Sequence, residues 1–357
     1  MKSTLKQIAE ETGYSISTVS RSLANSSKIS EKTRSEVHRA ANRIGYKSQP
    51  RKRRVSKKSK QLHFALLSDF RIGEFYAKYF CGYREASYME NVRISLMSVR
   101  NQRSECVKFV QRIHRDDNFD GIILFFPALE HEHYNRILEV LPKDYPVVSN
   151  AHIENPSITT VTFDGYSGGH LAAAHFHQQG YRKLGIIEGP KIKPESRFRH
   201  NGFVDYIHRY PELELSWKYD GDYEFESGVS AFNQFRKQSN ISDSNKTGIA
   251  EAVFATNDTM ATGFMESAKA EGLKIPDDVA ILGYDNLPTC VHRRPLMSSI
   301  HTDFVDLAGS TIRVLKNKIS NQEQQNGTLS LVRVDIAIRE STLHTDPARK
   351  PVEQEVF

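Results

Sequence analysis

Residues 47–60, Lys-Ser-Gln-Pro-Arg-Lys-Arg-Arg-Val-Ser-Lys-Lys-Ser-Lys, carry the densest chemistry in the chain: eight of the fourteen are Lys or Arg, and Val55 is the single aliphatic residue. Such a tract cannot bury a core. What it can do is attract phosphate. It belongs to a wider imbalance, since residues 1–60 hold 16 Lys/Arg against 4 Asp/Glu, or +12, while residues 61–357 hold 33 against 39, or −6. A basic block joined to a mildly acidic body reads as a nucleic-acid-binding module attached to something that is not one, with a solvated basic tail as the alternative. Catalytic patterns are scarce. There is no GxxxxGK followed by Ser or Thr, no GxSxG, no HExxH and no GxGxxG after a strand. His131-Glu132-His133 and His170, His175, His177 never place two imidazoles at i, i+4, so they read as solvated or core-edge histidines rather than metal ligands. Cys81, Cys106 and Cys290 are odd in number and in no CxxC spacing, which fits reduced core thiols.

These residues need elements to position them. At 357 residues the chain exceeds one hydrophobic core, so at least two domains are expected. No apolar run approaches the roughly 18 residues that span a bilayer, and the N-terminus has no apolar signal segment, so the protein is expected in the cytoplasm. Leu5, Ile8, Ala9 and Thr12 share one face of a short helix that Gly13 ends. A second helix is capped by Ser15, with Val19 and Leu23 inward and Ser17, Thr18 and Arg21 outward; Ile16 faces either bases or the core. A third opens at Ser30-Glu31, places Val37, Ala40, Ala41 and Ile44 on one face and stops at Gly45. Periodicity alone leaves a generic three-helix bundle open.

The wording of Thr4-Leu5-Lys6-Gln7-Ile8-Ala9-Glu10-Glu11-Thr12-Gly13-Tyr14-Ser15, Ser17-Thr18-Val19-Ser20-Arg21, Ile29-Ser30-Glu31-Lys32-Thr33-Arg34 and Ile44-Gly45-Tyr46 resembles the DNA-binding headpiece of the LacI/GalR family of transcriptional regulators. The resemblance implies that the second helix enters the major groove. Ile16, Ser17 and Arg21 would face base edges, and Ser15, Thr18, Ser30, Thr33 and Tyr46 would contact or buttress phosphates. An Arg there suits guanine N7 and O6. Ala24 departs from the family's Asn. The family linker forms a hinge helix with a Leu wedged into the minor groove; here Ser48, Gln49 and Lys52 replace its Pro, Asn and Ala, and Val55 takes the wedge position. Either Val55 makes a weak wedge, or Arg51, Arg53 and Arg54 grip phosphates, or the tract is a tether touching DNA only non-specifically.

From Leu62 onward short apolar runs alternate with amphipathic segments, the pattern of βα units. Strands are expected at 62–67, 92–98, 121–126, 146–149, 159–163, 184–188, 251–256 and 278–283, and helices at 75–90, 103–115, 131–140, 165–179, 198–209, 226–237, 258–271 and 303–319. The expected class is α/β: a small all-α helix-turn-helix headpiece (1–46), a basic linker (47–60), a two-lobed, doubly wound parallel-sheet body (61–345) and a polar tail (346–357).

The resemblance continues at lower density through Asp69-Phe70, Phe75-Tyr76-Ala77 with Gly82, Arg199-His200-Asn201-Gly202-Phe203, Ala255-Thr256-Asn257-Asp258, Leu282-Gly283-Tyr284-Asp285 and Arg294-Pro295-Leu296. It implies a periplasmic-binding-protein-like effector domain whose family ligands are mostly sugars. Matching positions assign Asp164, Arg199, Asn257 and Asp285 to ligand hydroxyls and Phe75, Phe125 and Tyr223 to the walls, with Arg197, Glu195 and Asp69 as further candidates. Asp258 reads as a helix cap, and Asp285 either binds ligand or holds a turn. Phe125 and Glu195 stand where sugar-binding members often carry small polar residues. The resulting expectation is a homodimeric regulator, a repressor, that binds pseudo-palindromic double-stranded operator DNA under control of a carbohydrate-like effector, with no catalysis, cofactor, metal or membrane contact. The rivals are an exported solute-binding protein, which has no use for a +12 headpiece, and a sugar kinase or nucleosidase, which needs a phosphate loop or an activated nucleophile.

Overall fold

The computed structural model describes residues 4–23, 29–44, 46, 61–100, 102–116, 118–239, 249–321 and 327–344. Arg51, Arg53, Arg54 and Val55 of the linker, Ala24 and the tail 346–357 lie outside the described residues. The chain divides into two compact units, Met1–Lys60 and Gln61–Phe357.

Local chemistry sets the boundaries of the three helices in the first unit, α1 (Leu5–Thr12), α2 (Ile16–Leu23) and α3 (Glu31–Arg43). The Thr4 N–H donates to Gln7 Oε1 at 2.8 Å, half of a capping box. Gly13 stops α1 at φ +71°, a left-handed value that costs residues with a β-carbon about 1–2 kcal/mol. Ser15 Oγ accepts from the Thr18 N–H and Ser30 Oγ from the Thr33 N–H, each at 3.2 Å, closing the starts of α2 and α3. Ile8, Val19, Val37 and Ala40 form a fully buried centre.

The second unit begins β1 (His63–Ser68), α4 (Glu74–Met89), β2 (Arg93–Ser98), α5 (Gln102–Asp116), β3 (Gly121–Phe125), α6 (His131–Glu139), β4 (Val147–Ser149) and β5 (Thr160–Phe163). It continues α7 (Gly165–Gln178), β6 (Lys183–Glu188), α8 (Pro194–Arg209), β7 (Glu214–Asp220), α9 (Phe225–Ser239), β8 (Ala252–Ala255), α10 (Asp258–Ala270), β9 (Ala280–Asp285) and α11 (Thr289–His292). The last elements are β10 (Ser298–Thr302), α12 (Phe304–Asn321), β11 (Leu329–Val332), β12 (Val334–Ala337) and a short 3-10 turn, Glu340–Thr342. Two sheets result, ordered β11-β5-β4-β3-β1-β2 in lobe one and β12-β10-β9-β8-β6-β7 in lobe two. Neighbours pair in parallel except β10 with β12. The chain crosses between lobes three times, after β5, after β10 and at Arg333 between β11 and β12.

Phe64–Leu67, Ile122–Leu124 and Ala252–Ala255 are buried throughout, because helices cover both sheet faces and leave no polar side to the strands. The eight expected strands and eight expected helices of the body are present, with shifted ends. The sequence pattern omits β7, β10, β11, β12 and α11. Edge strand β7 buries only Trp217, and β11 and β12 have four residues each, with Leu329 and Leu331 exposed, so no apolar run marks them. Helix α8 begins at Pro194 rather than 198, since a proline in the first turn lacks only an N–H that would have had no partner. Gly202 lets α8 approach α7 closely: a β-carbon there would overlap the Tyr166 carbonyl oxygen. That contact fixes where Arg199, one turn earlier, emerges.

Candidate DNA interface and ligand cleft

On the first unit, Val19 and Ser22 turn inward from α2, while Ile16, Ser17 and Arg21 face solvent. Ile16 is 50% exposed, so it stands outside the core of the unit. Ser15 and Ser30 hold their caps and remain exposed; Thr18 and Thr33 are half-buried beside them, with hydroxyl contacts of 2.9 Å. Tyr46 leans on the core, its N–H donating to the Ala41 carbonyl at 2.9 Å. An exposed helix face carrying an aliphatic and a hydroxyl in its first turn and the Arg21 guanidinium in its last has the donors and apolar surface that base edges require.

In the second unit a cleft of about 250 Å³ lies between the lobes, beyond the carboxyl ends of the strands. Lobe one supplies an aromatic wall. Phe75, in the first turn of α4, stacks beside Phe125 at the end of β3 with centroids 5.8 Å apart, and Phe125 lies 4.7 Å from Tyr79. Asn150 behind them is fully engaged, accepting from the Tyr79 and Tyr83 hydroxyls and donating to the Val161 carbonyl and Thr311 Oγ1.

Lobe two supplies the polar groups. Arg199 is 8% exposed; its Nη1 donates to the Thr256 carbonyl at 2.5 Å, its Nη2 stands 3.6 Å from Asp285 Oδ1, and the guanidinium lies 3.6 Å above the Tyr284 ring. Burial lifts the Asp285 carboxyl to about 6, against the pull of Arg199. Asp285 at φ +103° and Tyr223 at φ +78° hold left-handed backbone conformations that non-glycine residues keep only when their surroundings impose them. Asn257 imposes the second, since its Nδ2 donates to the Tyr223 carbonyl at 2.9 Å while its Oδ1 accepts from the Met260 N–H at 2.9 Å. Glu195 Oε2, Arg199 Nε, Tyr223 Oη, Tyr284 Oη and Asp285 Oδ1 are shielded from water and lack a hydrogen-bond partner. Buried polar atoms left so cost about 1–3 kcal/mol each. All five residues line this one cleft.

The structure thus brings together Phe75, Phe125, Glu195, Arg199, Tyr223, Asn257 and Asp285, and adds Lys193, Tyr76 and Tyr284. Lys193 lies 5.0 Å above the Tyr223 ring, and burial lowers its pKa. Three expected contacts sit elsewhere. Asp164 caps α7, accepting from the Ser167 N–H at 2.9 Å and Oγ at 2.6 Å. Arg197 faces away from the cleft, on Glu154 Oε1 and the Lys191 carbonyl, each at 2.6 Å. Asp69 is at the rim, holding Arg71 Nε at 3.1 Å. The helix cap expected at Asp258 belongs to Asn257; Asp258 Oδ2 instead accepts from the Leu287 N–H and Oδ1 from Ser299 Oγ, each at 2.6 Å, and so fixes the turn carrying Asp285. Among the described residues no three His, Cys, Asp or Glu side chains converge as metal ligands, and no helix is long and apolar enough to cross a membrane. His131 contacts the Asn155 carbonyl, His175 Thr342 Oγ1, and His177 Glu212.

Residues 4–49 match the model of the bacterial regulatory proteins, lacI family, and residues 173–342 match the periplasmic binding protein-like domain. The sequence is 26% identical over 340 residues to the HTH-type transcriptional repressor CytR of Escherichia coli (strain K12), covering 95% of this chain and 96% of that one. It is 25% identical over 346 residues to the probable HTH-type transcriptional repressor ExuR of Bacillus subtilis (strain 168), covering 95% and 98%. Among solved structures, the lac repressor dimer bound to operator and the anti-inducer ONPF superposes with a TM-score of 0.69 at 21% identity, covering 96% of this chain and all of that one. The transcriptional regulator CelR–cellobiose complex gives 0.66 at 22%, covering 95% and 100%.

Proposed function

Because this chain belongs to the lacI family of bacterial regulatory proteins, we propose that it is a cytoplasmic, homodimeric transcriptional repressor whose grip on double-stranded operator DNA changes when a small ligand, a sugar or sugar derivative, enters the cleft. It is a regulator and not an enzyme. The observation that carries the ligand-controlled half is the convergence of buried atoms of Glu195, Arg199, Tyr223, Tyr284 and Asp285 that make no hydrogen bond, opposite the Phe75–Phe125 wall. A ligand whose apolar face lies on the rings and whose hydroxyls or amides reach those atoms satisfies both surfaces. On the first unit, Ile16, Ser17 and Arg21 would read bases, Ser15, Thr18, Ser30, Thr33 and Tyr46 would bind or buttress phosphates, and Arg51, Arg53, Arg54 and Val55 would extend the contact along the linker. The domains assigned are 1–46, 47–60 and 61–345.

Two half-sites need two headpieces, hence a two-fold dimer. A ligand moves operator affinity only by binding the operator-competent and released states unequally, so regulation is a coupling free energy between cleft and headpiece. The test is fluorescence anisotropy on an operator selected from random DNA, with salt titration and a ligand panel. Expected are a preference over random DNA, a log–log salt slope near −0.9 per phosphate contacted, and a compound that shifts operator affinity at least fivefold. Binding that is equal on all sequences would overturn the reading.

A further inference from the structure

Helix α4 ties lobe one to the turn that carries Asp285 in lobe two. Lys78 stands one helical turn after Glu74, so both project from the same face of α4. The Lys78 ammonium donates to the Asn286 carbonyl at 2.8 Å and to the Asp285 carbonyl at 3.4 Å. Glu74 Oε2 accepts from the Thr289 N–H at 3.0 Å. Every one of these bonds pairs a charged side chain of lobe one with a backbone group of lobe two, which makes it charge-assisted.

The partners are seated within their own lobes. The Lys78 ammonium lies 5.3 Å from the centre of the Phe304 ring, and burial lowers its pKa against the pull of Asp285 and Asp258. Asn286 is held by lobe two: its N–H donates to Ser299 Oγ at 2.9 Å, its Oδ1 accepts from Arg339 Nη2 at 2.8 Å, and its Nδ2 meets His301 Nδ1 at 3.0 Å. It follows Asp285 at φ +50°, so two successive residues hold left-handed backbone, and their carbonyls are the ones Lys78 takes. The contact also reaches both walls of the cleft. Phe304 packs edge-on against Phe75 with centroids 5.3 Å apart, and Asp285 carries the carboxylate that faces Arg199. By contrast, the Arg197–Glu154 ion pair joins the lobes beside a second cavity through two well-exposed side chains, which water screens.

We propose that Lys78 and Glu74 form a clasp that fixes how the two lobes stand, and that its strength sets operator affinity before any ligand is added. The first half rests on these contacts alone, the second on the regulator reading above. The test uses the full chain without added ligand. Lys78→Met keeps the stem beside Phe304 and deletes the donor, Lys78→Arg keeps a donor, and Glu74→Ala changes an exposed position and leaves the core intact. Amide exchange of the segment 286–291, read by mass spectrometry, should quicken at least fivefold in Lys78→Met, although the Thr289 N–H is bonded to Glu74 and not to Lys78. Operator affinity by anisotropy should move at least fivefold in Lys78→Met and in the same direction in Glu74→Ala, while Lys78→Arg stays within twofold of the wild type. The double variant should move no further than Lys78→Met, since one clasp opens only once. A Lys78→Met protein that loses stability in urea while exchange at the turn and operator affinity stay put makes the pair a packing contact and overturns the clasp. Faster exchange with operator affinity held within twofold overturns its link to DNA. A wild type with no operator preference would instead fell the regulator reading, and exchange at the turn would still decide the clasp.

Discussion

Asp258→Asn isolates the group on which the cleft's strained turn is seated. Asp258 is wholly buried, and burial, reinforced by repulsion from Asp285, raises its carboxyl from 3.8 to about 7. Three donors oppose the shift, Ser299 Oγ, the Leu287 N–H and the Cys290 thiol. A carboxyl whose folded pKa exceeds its unfolded one binds protons more tightly in the fold. Its contribution to stability is therefore greatest below pH 4 and is lost as pH rises through 7. With values of 3.8 and about 7, and about 1.4 kcal/mol per unit, the loss between pH 5 and pH 8 is on the order of 2–3 kcal/mol. Asparagine can still accept from Leu287 and, through its amide, donate to the Ser299 hydroxyl, but carries no charge. In urea melts the variant should overtake the wild type as pH rises, and the difference between their unfolding free energies should change by roughly 2–3 kcal/mol over this range. Parallel stability curves, or a variant that loses ground at pH 8, would refute the reasoning. Either would mean that the three donors and the N-terminal position on α10 favour the anion at least as much as burial penalises it.

Arg21→Ala should cost about 1–3 kcal/mol on the selected operator and relax preference at one base pair, with little loss on random DNA; equal losses on both would show that Arg21 contacts only phosphate. Arg199→Ala removes the guanidinium facing Asp285, so ligand affinity in titration calorimetry should fall at least tenfold. Its stability cost of about 3–5 kcal/mol should shrink below pH 6, where Asp285 takes a proton, and a cost independent of pH would contradict that pairing. Gly202→Ala should destabilise the second unit by about 1–3 kcal/mol, because the methyl meets the Tyr166 backbone and not a side chain that can yield; an unchanged melting temperature would mean α7 and α8 can part without cost.

What the sequence determined by itself is whatever a few neighbouring residues decide. Ser15, Ser30 and Gly13 end helices through bonds and dihedrals within four residues, and Phe64–Leu67 or Ala252–Ala255 announce doubly covered strands by composition alone. The headpiece helices and the central strands were legible on that basis; Phe75, Phe125, Glu195, Arg199, Tyr223, Asn257 and Asp285, which line the cleft, were named only through the family resemblance. The tertiary structure decided how side chains of one type divide their work. Asn257 and Asp258 are adjacent and both could cap α10, yet Asn257 caps it and holds Tyr223 while Asp258 reaches the turn at Leu287, twenty-nine residues on. Arg197 and Arg199 lie two apart on one helix but face different cavities. Asp164 was expected in the cleft and instead caps α7, because its position just before the helix puts the Ser167 amide and hydroxyl within 2.9 and 2.6 Å of its carboxylate. Strands β7, β11 and β12 depend on partners already placed, since an edge strand gains its hydrogen bonds from a sheet rather than from its own apolar pattern. The assignments of Asp164, Arg197 and Asp258 share one physical cause: a charged or amide side chain takes the nearest geometrically suitable partner, and that partner is fixed only once the segments carrying it have packed.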